Sequence, residues 1–509
     1  MLKVCFLGAS SLFSVKNLNE VVQMTNNGAD KKKSTLRAVT AERLTEMLKD
    51  IDVSAGKVKD GAYSARARIT ALFDRGTFSE VGAYINRSRS SNPDEFSGVI
   101  CGYGAIGGKL AFAFVQDRAR MGGAFGRYSA KKIISLYEMA QKNGAPIIGI
   151  FDSDGVSVYE GVRALAGLGN TLGASARAAG SVPRIALIPG VCGGNMAVLA
   201  SGFDFVLSTA PGEKTGSEIF AISPFVNGVT VTAEAGVTSY EAKDEAELYT
   251  VARKLLEFLP SNNTEGAVVT DGDLASCPDI SGLTGEALVS ALADNKNYIR
   301  LWSRYAPGLA AGFAVVGGVS CAFIANDRTH KNGALTREAC RVVARIEKFA
   351  DRFGIPLISL VDCPGFDNEE VNDAEYIYSA SELIDAMQNS TNAKISAVVG
   401  KAYGPGFVYM ASKSCGGDIA FATPDSCISA LSPEASVALL WNDRIRAADL
   451  SASREVLERE WREQYASPND AALCGEIDDI VPASEMRARI ASALQMLLGK
   501  NTLSPKAKK

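Results

Sequence analysis

Apolar residues recur at helical spacing between residues 128 and 143, where Ile133 and Leu136 lie on one face. This spacing predicts a helix, and Gly144-Ala-Pro146 predicts its end because proline cannot continue a helix. The apolar run 147–151 follows directly. It is short and continuous, which indicates a buried strand.

The same arrangement occurs again later in the chain. Residues 338–353 repeat the helical spacing, end at Gly354-Ile-Pro356 and lead into the apolar run 357–361. Further apolar runs at 185–188 and 395–399 predict one more strand in each part. Strands that alternate with helices predict a parallel or mixed sheet covered by helices, so the predicted fold class is α/β.

The two parts are related by an offset of 210 positions. When residues 107–194 are aligned with 317–404, 19 of the 88 positions are identical without a gap, whereas average composition would give roughly six to seven. Asp152, for example, falls on Asp362. A chance alignment of glycine-rich turns is the alternative. We predict two domains of one fold, side by side, that are related by internal duplication.

The length of 509 residues agrees with two domains, because a single hydrophobic core stops growing at about 250–300 residues. Helical stretches are also expected at 40–51 and 451–464. The predicted parts are a flexible N-terminus (1–35), an N-terminal domain with a helical prelude (36–265), a polar connector (266–298), a C-terminal domain (299–499) and a disordered tail (500–509).

Composition excludes several classes of function. The formal net charge of −4 gives no broad basic field for nucleic acid. The sequence contains no uninterrupted run of 18 apolar residues, the length that a membrane-spanning helix requires. The single histidine, His330, argues against a Ser-His-Asp triad or a His-rich metal site, so no metal is expected. The ten cysteines form no CxxC pair, and several stand in apolar runs. This pattern favours a reducing compartment, the cytoplasm or an organelle matrix.

Glycines gather in four loops that follow predicted strands, at 152–156, 190–196, 362–366 and 401–407. Loops of this kind present unpaired backbone N–H groups where a helix begins. Such groups can stabilise an oxyanion without any titrating side chain. Each loop taken singly could be a tight turn with no chemical role. Four loops in two matched pairs favour a site.

A glycine-rich stretch with basic neighbours precedes the first predicted helix. Gly122, Gly123 and Gly126 stand near Arg118 and Lys131, a combination that suits the phosphates of a nucleotide-like ligand at a helix N-terminus. A solvated helix that carries lysines is the alternative.

Asp152 and Asp362 each stand at the end of a predicted strand. They could act as acid or base residues. A carboxylate in this position more often holds its loop by accepting N–H groups.

Stretches of sequence that match one known family occur in its order from about residue 40 to residue 498. They are 116–126 (QDRARMGGAFG), 130–133 (AKKI), 146–161 (PIIGIFDSDGVSVYEG), 166–169 (AGLG), 189–194 (PGVCGG), 355–366 (IPLISLVDCPGF), 401–404 (KAYG) and 474–482 (CGEIDDIVP). The chain thereby resembles the biotin-dependent acyl-CoA carboxyltransferases, the family of propionyl-CoA carboxylase beta chains and decarboxylase alpha subunits.

The resemblance implies two tandem crotonase-like domains, in agreement with the repeat. It also implies a chemistry in which carboxybiotin, carried on a separate biotin carboxyl carrier protein, releases CO2. The biotin anion then takes a proton from the α-carbon of an acyl-CoA thioester, and the resulting enolate captures the CO2. Two backbone oxyanion holes hold the thioester oxygen and the biotin oxygen, and neither needs a side-chain base.

By position, the resemblance places Gly155 and Val156 at the thioester oxygen and puts the second hole at Pro405 and Gly406. Pro405 has no N–H to donate, so Gly404, Gly406 or Phe407 must supply that donor. The family's DSGGAR stretch also reads DSDGVS here, which loses a glycine and an arginine. The residues expected to bind the CoA ester or biotin are Arg118, Gly122, Gly123, Gly126, Lys131, Gly193, Gly194, Gly365 and Tyr403.

The resemblance further implies a homo-hexamer, a trimer of dimers, with each active site between subunits. The chain has no Met-Lys-Met biotin attachment site, so biotin is expected on a separate carrier, with a biotin carboxylase or membrane decarboxylase subunits as further partners. A carboxylase subunit acting on propionyl-CoA or acetyl-CoA is the first hypothesis. The alternatives are a methylmalonyl-CoA or glutaconyl-CoA decarboxylase subunit, a non-catalytic paralogue, and a CoA hydratase or thioesterase.

Overall fold

The computed structural model describes residues 63–83, 85, 98–211, 216–221, 231, 233–273, 276–369, 373–446 and 452–500. The predicted flexible N-terminus, the helical stretch at 40–51 and residues 501–509 of the predicted tail lie outside these ranges. The chain divides into two compact units, Met1–Ala67 and Arg68–Lys509. All the features below that bear on function belong to the second unit.

The strands alternate with helices along the chain, as the apolar pattern predicts. The strands are β1 (Ser79–Val81), β2 (Val99–Ile106), β3 (Lys109–Gln116), β4 (Ile147–Ile150), β5 (Arg184–Ile188), β6 (Val191–Gly193), β7 (Phe205–Thr209), β8 (Glu218–Phe220), β9 (Tyr240–Ala242), β10 (Tyr298–Leu301), β11 (Leu309–Val316), β12 (Val319–Asn326), β13 (Leu357–Cys363), β14 (Lys394–Tyr403), β15 (Ile419–Ala422), β16 (Cys427–Ser429) and β17 (Asp479–Ile480).

The α-helices that the structure describes cover both sheets. They are α1 (Ala65–Leu72), α2 (Arg127–Asn143), α3 (Val162–Ala178), α4 (Asn195–Ser201), α5 (Glu245–Phe258), α6 (Gly285–Leu292), α7 (Arg337–Phe353), α8 (Ala374–Asn389), α9 (Pro405–Met410), α10 (Pro433–Leu440), α11 (Asn442–Arg446), α12 (Ala452–Tyr465), α13 (Pro468–Leu473) and α14 (Met486–Leu497). None of the helices described here is both long and apolar enough to cross a lipid bilayer.

Two mixed sheets form the framework, and their strands follow the same order. The first runs β1-β2-β3-β4-β5-β7-β9 and the second β10-β11-β12-β13-β14-β15-β17. In each sheet the first three strands pair antiparallel and the later ones pair parallel. Parallel strands need crossover helices, which here cover the sheet. The predicted α/β class is confirmed, and the sheets are mixed.

The offset of 210 positions holds for the element boundaries as well as for the sequence. Strands β2 and β3 shift onto β11 and β12 residue for residue, and α2 shifts onto α7. Both of these helices end at a left-handed glycine, Gly144 (φ 60°) and Gly354 (φ 65°), as the two Gly-x-Pro sequences predict.

Each half buries its own apolar cluster, and an aromatic cluster joins the halves. The ring of Phe205 in β7 lies 4.7 Å from that of Phe349 in α7 and 5.6 Å from that of Phe313 in β11, both in edge-on geometry. Such edge-to-face pairs add about 0.5–1.5 kcal/mol each beyond the area they bury. The two halves therefore pack directly against each other within one chain.

The connector and the chain end differ from the prediction. The polar stretch 266–298 contains helix α6, in which Leu288 and Leu292 are buried, so it contributes to the second core. Lys500, predicted to begin the disordered tail, is anchored to Asp418 at 2.7 Å and to the carbonyl of Asn392 at 2.9 Å. The charged stretch 451–464 does form a helix, α12.

Candidate active site

In the first half, the loop after β4 is fixed by a short parallel bridge. The N–H of Phe125 donates to the carbonyl of Gly155 at 2.9 Å, and that of Ser157 donates to the carbonyl of Phe125 at 2.9 Å. The N–H of Val156, between these two bonds, faces away from Phe125. Among the described residues it has no acceptor. Gly155 has φ 131°, a conformation that only glycine adopts readily.

In the second half, the loop after β13 repeats this geometry 210 positions later. The N–H of Leu335 donates to the carbonyl of Gly365 at 2.9 Å, and that of Asp367 donates to the carbonyl of Leu335 at 3.0 Å. Gly365 has φ 110°. The N–H of Phe366 therefore corresponds to that of Val156, and it likewise has no acceptor in the described part of the chain.

The side chain two residues before each of these glycines closes its loop from within. Ser153 Oγ accepts the N–H of Gly155 at 3.1 Å and donates to its carbonyl at 3.2 Å. Cys363 Sγ makes the same two contacts with Gly365, both at 3.4 Å. Burial raises the pKa of the Cys363 thiol to about 11, so at neutral pH it keeps the proton that it donates. Gly155, predicted to be an oxyanion donor, thus uses its N–H inside the loop.

The second loop of each half leads into a short helix. Gly194 and Gly404 precede α4 and α9 with φ 59° and 45°, and their N–H groups donate to the carbonyls of Phe220 and Ser429 at 2.8 and 2.9 Å. The N–H of Phe407 donates to the carbonyl of Gly404 at 3.1 Å. Two of the three candidates to replace Pro405, Gly404 and Phe407, are therefore already engaged.

The remaining candidate, Gly406, is the second residue of α9, and its N–H has no acceptor among the described residues. A helix leaves its first four N–H groups without partners in the helix, which explains why this donor is available. In the first half, the same position in α4 is Met196, whose N–H likewise has no acceptor in the described ranges.

The two loops of each half lie against each other. In the first half, the N–H of Ser153 donates to the carbonyl of Val191 at 2.7 Å, and that of Gly193 donates back to the carbonyl of Ser153 at 2.9 Å. In the second half, Cys363 pairs with Ala402. A Cβ atom on Gly406 would lie 2.8 Å from the carbonyl oxygen of Cys363, so the two loops approach closely there and any side chain would require a local shift. Each half thus brings one free loop N–H and one free helix N–H into neighbouring segments.

Asp152 and Asp362 hold these loops in place. The buried Arg68 donates to Asp152 at 2.6 Å, and Asp152 accepts the N–H of Val191 at 3.2 Å. Asp362 accepts the N–H of Lys401 at 3.0 Å and pairs with Arg328 at 3.1 Å. Both aspartates hold loops, as one of the two interpretations predicted, but the N–H that each accepts belongs to the second loop of its half and not to its own loop.

Glycines 122 and 123 support the same loop. The N–H of Asp154 donates to the carbonyl of Gly122 at 3.0 Å, and a Cβ on Gly123 would lie 2.1 Å from the carbonyl oxygen of Asp152. Arg118 pairs with Asp154 at 2.9 Å. These three residues, predicted to bind a ligand, all contact the 152–154 segment.

The N-terminus of α2, which the sequence suggested for a phosphate, already has a carboxylate beside it. Glu160 Oε2 accepts the N–H of Arg127 at 2.8 Å, and a side chain on Gly126 would collide with this carboxylate. Lys131 is exposed on the first turns of the same helix. Because Glu160 uses the N–H of Arg127, a phosphate at this helix end would meet a negative charge.

Tyr403, also predicted to bind a ligand, ends β14 with its side chain half-buried. Burial and then its hydrogen bond with Cys427 raise the pKa of the tyrosine hydroxyl, so it stays protonated at neutral pH.

Sequence reasoning did not single out Met196 and Phe366, whose N–H groups have no acceptor among the described residues, although both stood inside loops that it named. The offset of 210 could have identified them, because it places Phe366 opposite Val156 and Met196 opposite Gly406. The side-chain contact that occupies the N–H of Gly155 had no comparable signal in the sequence.

Exchange of the two loop-closing side chains tests their equivalence. We expect Ser153→Cys and Cys363→Ser each to keep at least about a third of the wild-type catalytic rate. The reason is that the same loop accommodates an oxygen atom at this position in one half and a sulfur atom in the other. Ser153→Ala leaves the N–H of Gly155 without its acceptor, which should lower the free energy of unfolding by about 1–3 kcal/mol. Steady-state rates of the three variants measure the retained activity, and thermal unfolding measures the loss of stability. If Ser153→Ala behaves like Ser153→Cys, the contact does not stabilise the loop.

Comparison with known proteins identifies the family of the chain. The model of the carboxyl transferase domain family matches residues 57–509. The chain is 31% identical to the methylmalonyl-CoA decarboxylase subunit alpha of Propionigenium modestum, over 88% of this chain and 92% of that one. It is 30% identical to the propionyl-CoA carboxylase beta chain of Saccharopolyspora erythraea, over 88% of this chain and 90% of that one.

The solved structure of transcarboxylase 12S, described as a hexamer with methylmalonyl-coenzyme A bound, superposes with a TM-score of 0.83 at 30% identity, and the match covers 95% of this chain and 99% of that one. The family match spans most of the chain and the relatives match along nearly their whole length, so this chain belongs to the carboxyl transferase domain family.

Proposed function

We propose that this chain is the carboxyltransferase subunit of a biotin-dependent enzyme that acts on an acyl-CoA of the propionyl-CoA and methylmalonyl-CoA type. The observation that carries the proposal is the matched pair of free backbone N–H groups in each half, Val156 with Met196 and Phe366 with Gly406. Membership in the family and the names of its relatives support the reaction class.

Each pair would hold one carbonyl oxygen on which negative charge develops. Two N–H donors that are fixed before the reaction stabilise such an oxygen without reorganisation, and the loss of one donor typically costs about 10²–10³-fold in rate. We assign Val156 and Met196 to the thioester oxygen, and Phe366 and Gly406 to the biotin oxygen. Biotin, when bound, supplies the carboxyl group and accepts the proton, so no side-chain base is needed.

The equivalence of the two halves supports tandem crotonase-like domains that arose by internal duplication, with the limits 36–265 and 299–499. One half then serves the CoA ester and the other serves biotin. By analogy with the hexameric 12S relative, we propose that the chain assembles as a hexamer with each active site between the first half of one subunit and the second half of another. Biotin arrives on a separate carrier protein.

The direction of the reaction separates the two leading candidates. Similarity to a methylmalonyl-CoA decarboxylase alpha subunit favours a decarboxylase as the second candidate, with the same site run in the opposite sense. The non-catalytic hypothesis depended on Pro405 and on the altered DSGGAR stretch, and the free N–H of Gly406 among the described residues argues against the first of these reasons.

Decarboxylation of methylmalonyl-CoA in the presence of free biotin tests the proposal. We expect the purified protein to release CO2 and propionyl-CoA at a rate that rises with the biotin concentration, and malonyl-CoA serves as a second substrate. If neither ester turns over and calorimetry detects no binding of either one, the protein is a non-catalytic member of its family.

A further inference from the structure

A cavity of about 300 Å³ lies between the two halves of the chain, away from the four glycine loops. Ser201 at the C-terminal end of α4, Gly236 and Tyr305 line it together with one face of α7. The loops of the candidate active site instead meet the N-terminal ends of α4 and α7. Pockets for small molecules start at about this volume, so the cavity is large enough for a compact ligand.

The face of α7 in this cavity is basic. Arg341, Arg345 and Lys348 follow one another at spacings of four and three residues, which places them on one side of the helix over about 10 Å. Glu382 is the one carboxylate among the residues that line the cavity. Three positive charges against one negative charge leave an excess of two.

Contacts within the chain engage only some of the hydrogen-bond donors of these three basic side chains. Arg345 donates to the carbonyl of Gly236 at 2.8 Å, so one of its five N–H groups is engaged. Arg341 lies 3.4 Å from Glu375, an exposed carboxylate on α8, and hydrogen-bonds the hydroxyl of Tyr305, so part of its fork is already engaged. Lys348 makes no ion pair with any described residue.

The fold itself does not require this basic face. Helix α2 occupies the equivalent place in the first half, and the offset of 210 puts Lys131, Ser135 and Glu138 at the three positions. Those three residues carry no net charge. The excess of positive charge is therefore a property of the second half alone, in a helix that packs equally well without it.

We propose that this cavity binds a small phosphate-bearing anion, at a site separate from the acyl-CoA and biotin sites. The fork of Arg341 and the ammonium group of Lys348 contact the phosphate oxygens, because charge-assisted bonds from guanidinium and ammonium groups suit phosphate. Arg345 lies between them and ties the ligand to the carbonyl of Gly236, which belongs to the first half. The ligand thereby bridges the two halves of the chain.

Calorimetric titration of the full-length protein with pyrophosphate, inorganic phosphate and AMP tests this site. We expect wild type to bind at least one of them and succinate to bind at least tenfold more weakly than that phosphate compound. A preference for AMP identifies a phosphate ester as the ligand, and a preference for pyrophosphate identifies a free polyanion. Lys348→Gln and Arg341→Gln should each weaken binding about tenfold or more, which is the typical strength of a charge-assisted bond.

Lys142→Gln is the matched control, because Lys142 is an exposed lysine on the equivalent helix α2. It should bind as wild type does. The Michaelis constant for methylmalonyl-CoA should stay unchanged in the two α7 variants, since the cavity is separate from the catalytic loops. The proposal is overturned if wild type binds none of the three phosphate compounds, or if Lys348→Gln binds them as tightly as Lys142→Gln does.

Discussion

Gly406→Pro is expected to lower kcat for biotin-dependent decarboxylation by about 10²–10³-fold, the usual loss when one oxyanion donor is removed. Proline removes the one N–H that we assign to the helix end of the biotin site. Its ring also adds a Cβ to a position where such an atom would lie 2.8 Å from the carbonyl oxygen of Cys363. The rate loss of this variant alone therefore combines two effects.

Gly406→Ala separates the two effects, because alanine adds the same Cβ and keeps the N–H. We expect Gly406→Ala to lose less than about tenfold in kcat, and the difference between alanine and proline then measures the hydrogen bond. Thermal unfolding of both variants shows whether α9 is retained. Equal kcat values for the two variants would mean that the N–H of Gly406 makes no contribution to the reaction.

Pro405→Gly is the complementary test, because it adds an N–H donor to the site from which Gly406→Pro removes one. It restores an N–H at a position where the resemblance to the carboxyltransferases places a backbone donor. If Phe366 and Gly406 already form a complete pair, kcat should change by less than about threefold. A gain near 10²-fold would show that the second hole lacks a donor in this chain and that Pro405 is the cause.

The sequence predicted the parts of this site that depend on local chain geometry. Gly155 and Gly365 stand where φ is 131° and 110°, and both were identifiable because glycine tolerates such angles at little cost. The helix ends at Gly144 and Gly354 followed from Gly-x-Pro sequences for the same reason. The repeat extended this information from one half to the other.

The sequence could not predict contacts between residues that are far apart in the chain. Arg68 reaches Asp152 across 84 positions, and Glu160 reaches the first N–H of α2 across 33 positions. Such pairs depend on how helices and loops pack, and composition carries no signal for them. For this reason the predicted phosphate site at α2 overlooked the carboxylate that lies there.

The turn between the first long strands shows a further regularity that the repeat alone does not reveal. Asp74 accepts the N–H groups of Gly107 and Gly108 and pairs with Arg253 at 2.6 Å. In the second half, Asp294 accepts those of Gly317 and Gly318 and pairs with Arg487 at 2.6 Å. Asp294 lies 220 positions after Asp74, so the fixed offset of 210 does not identify this correspondence. The same turn is therefore closed by a carboxylate and an arginine in both halves.

Arg487→Met is expected to destabilise the protein by about 3–5 kcal/mol, because it leaves the buried Asp294 without a counter-charge. Arg487 is only 1% exposed, and its side chain also donates to the carbonyls of Leu292, Ser276 and Asp273 at 2.6–3.0 Å. These contacts join α14 to the connector, so the loss of the Arg487 side chain should destabilise the packing of the whole second half.

Arg253→Met provides the matched control from the same chain. Arg253 and Asp74 keep side-chain exposures of 33% and 27%, so water can solvate the carboxylate that remains, and the expected loss is about 1 kcal/mol or less. Denaturant unfolding, followed by far-ultraviolet circular dichroism, compares the two variants, because helices and strands of both halves contribute to that signal. If the two variants are equally stable, burial does not make the Asp294–Arg487 pair contribute more to stability than the Asp74–Arg253 pair.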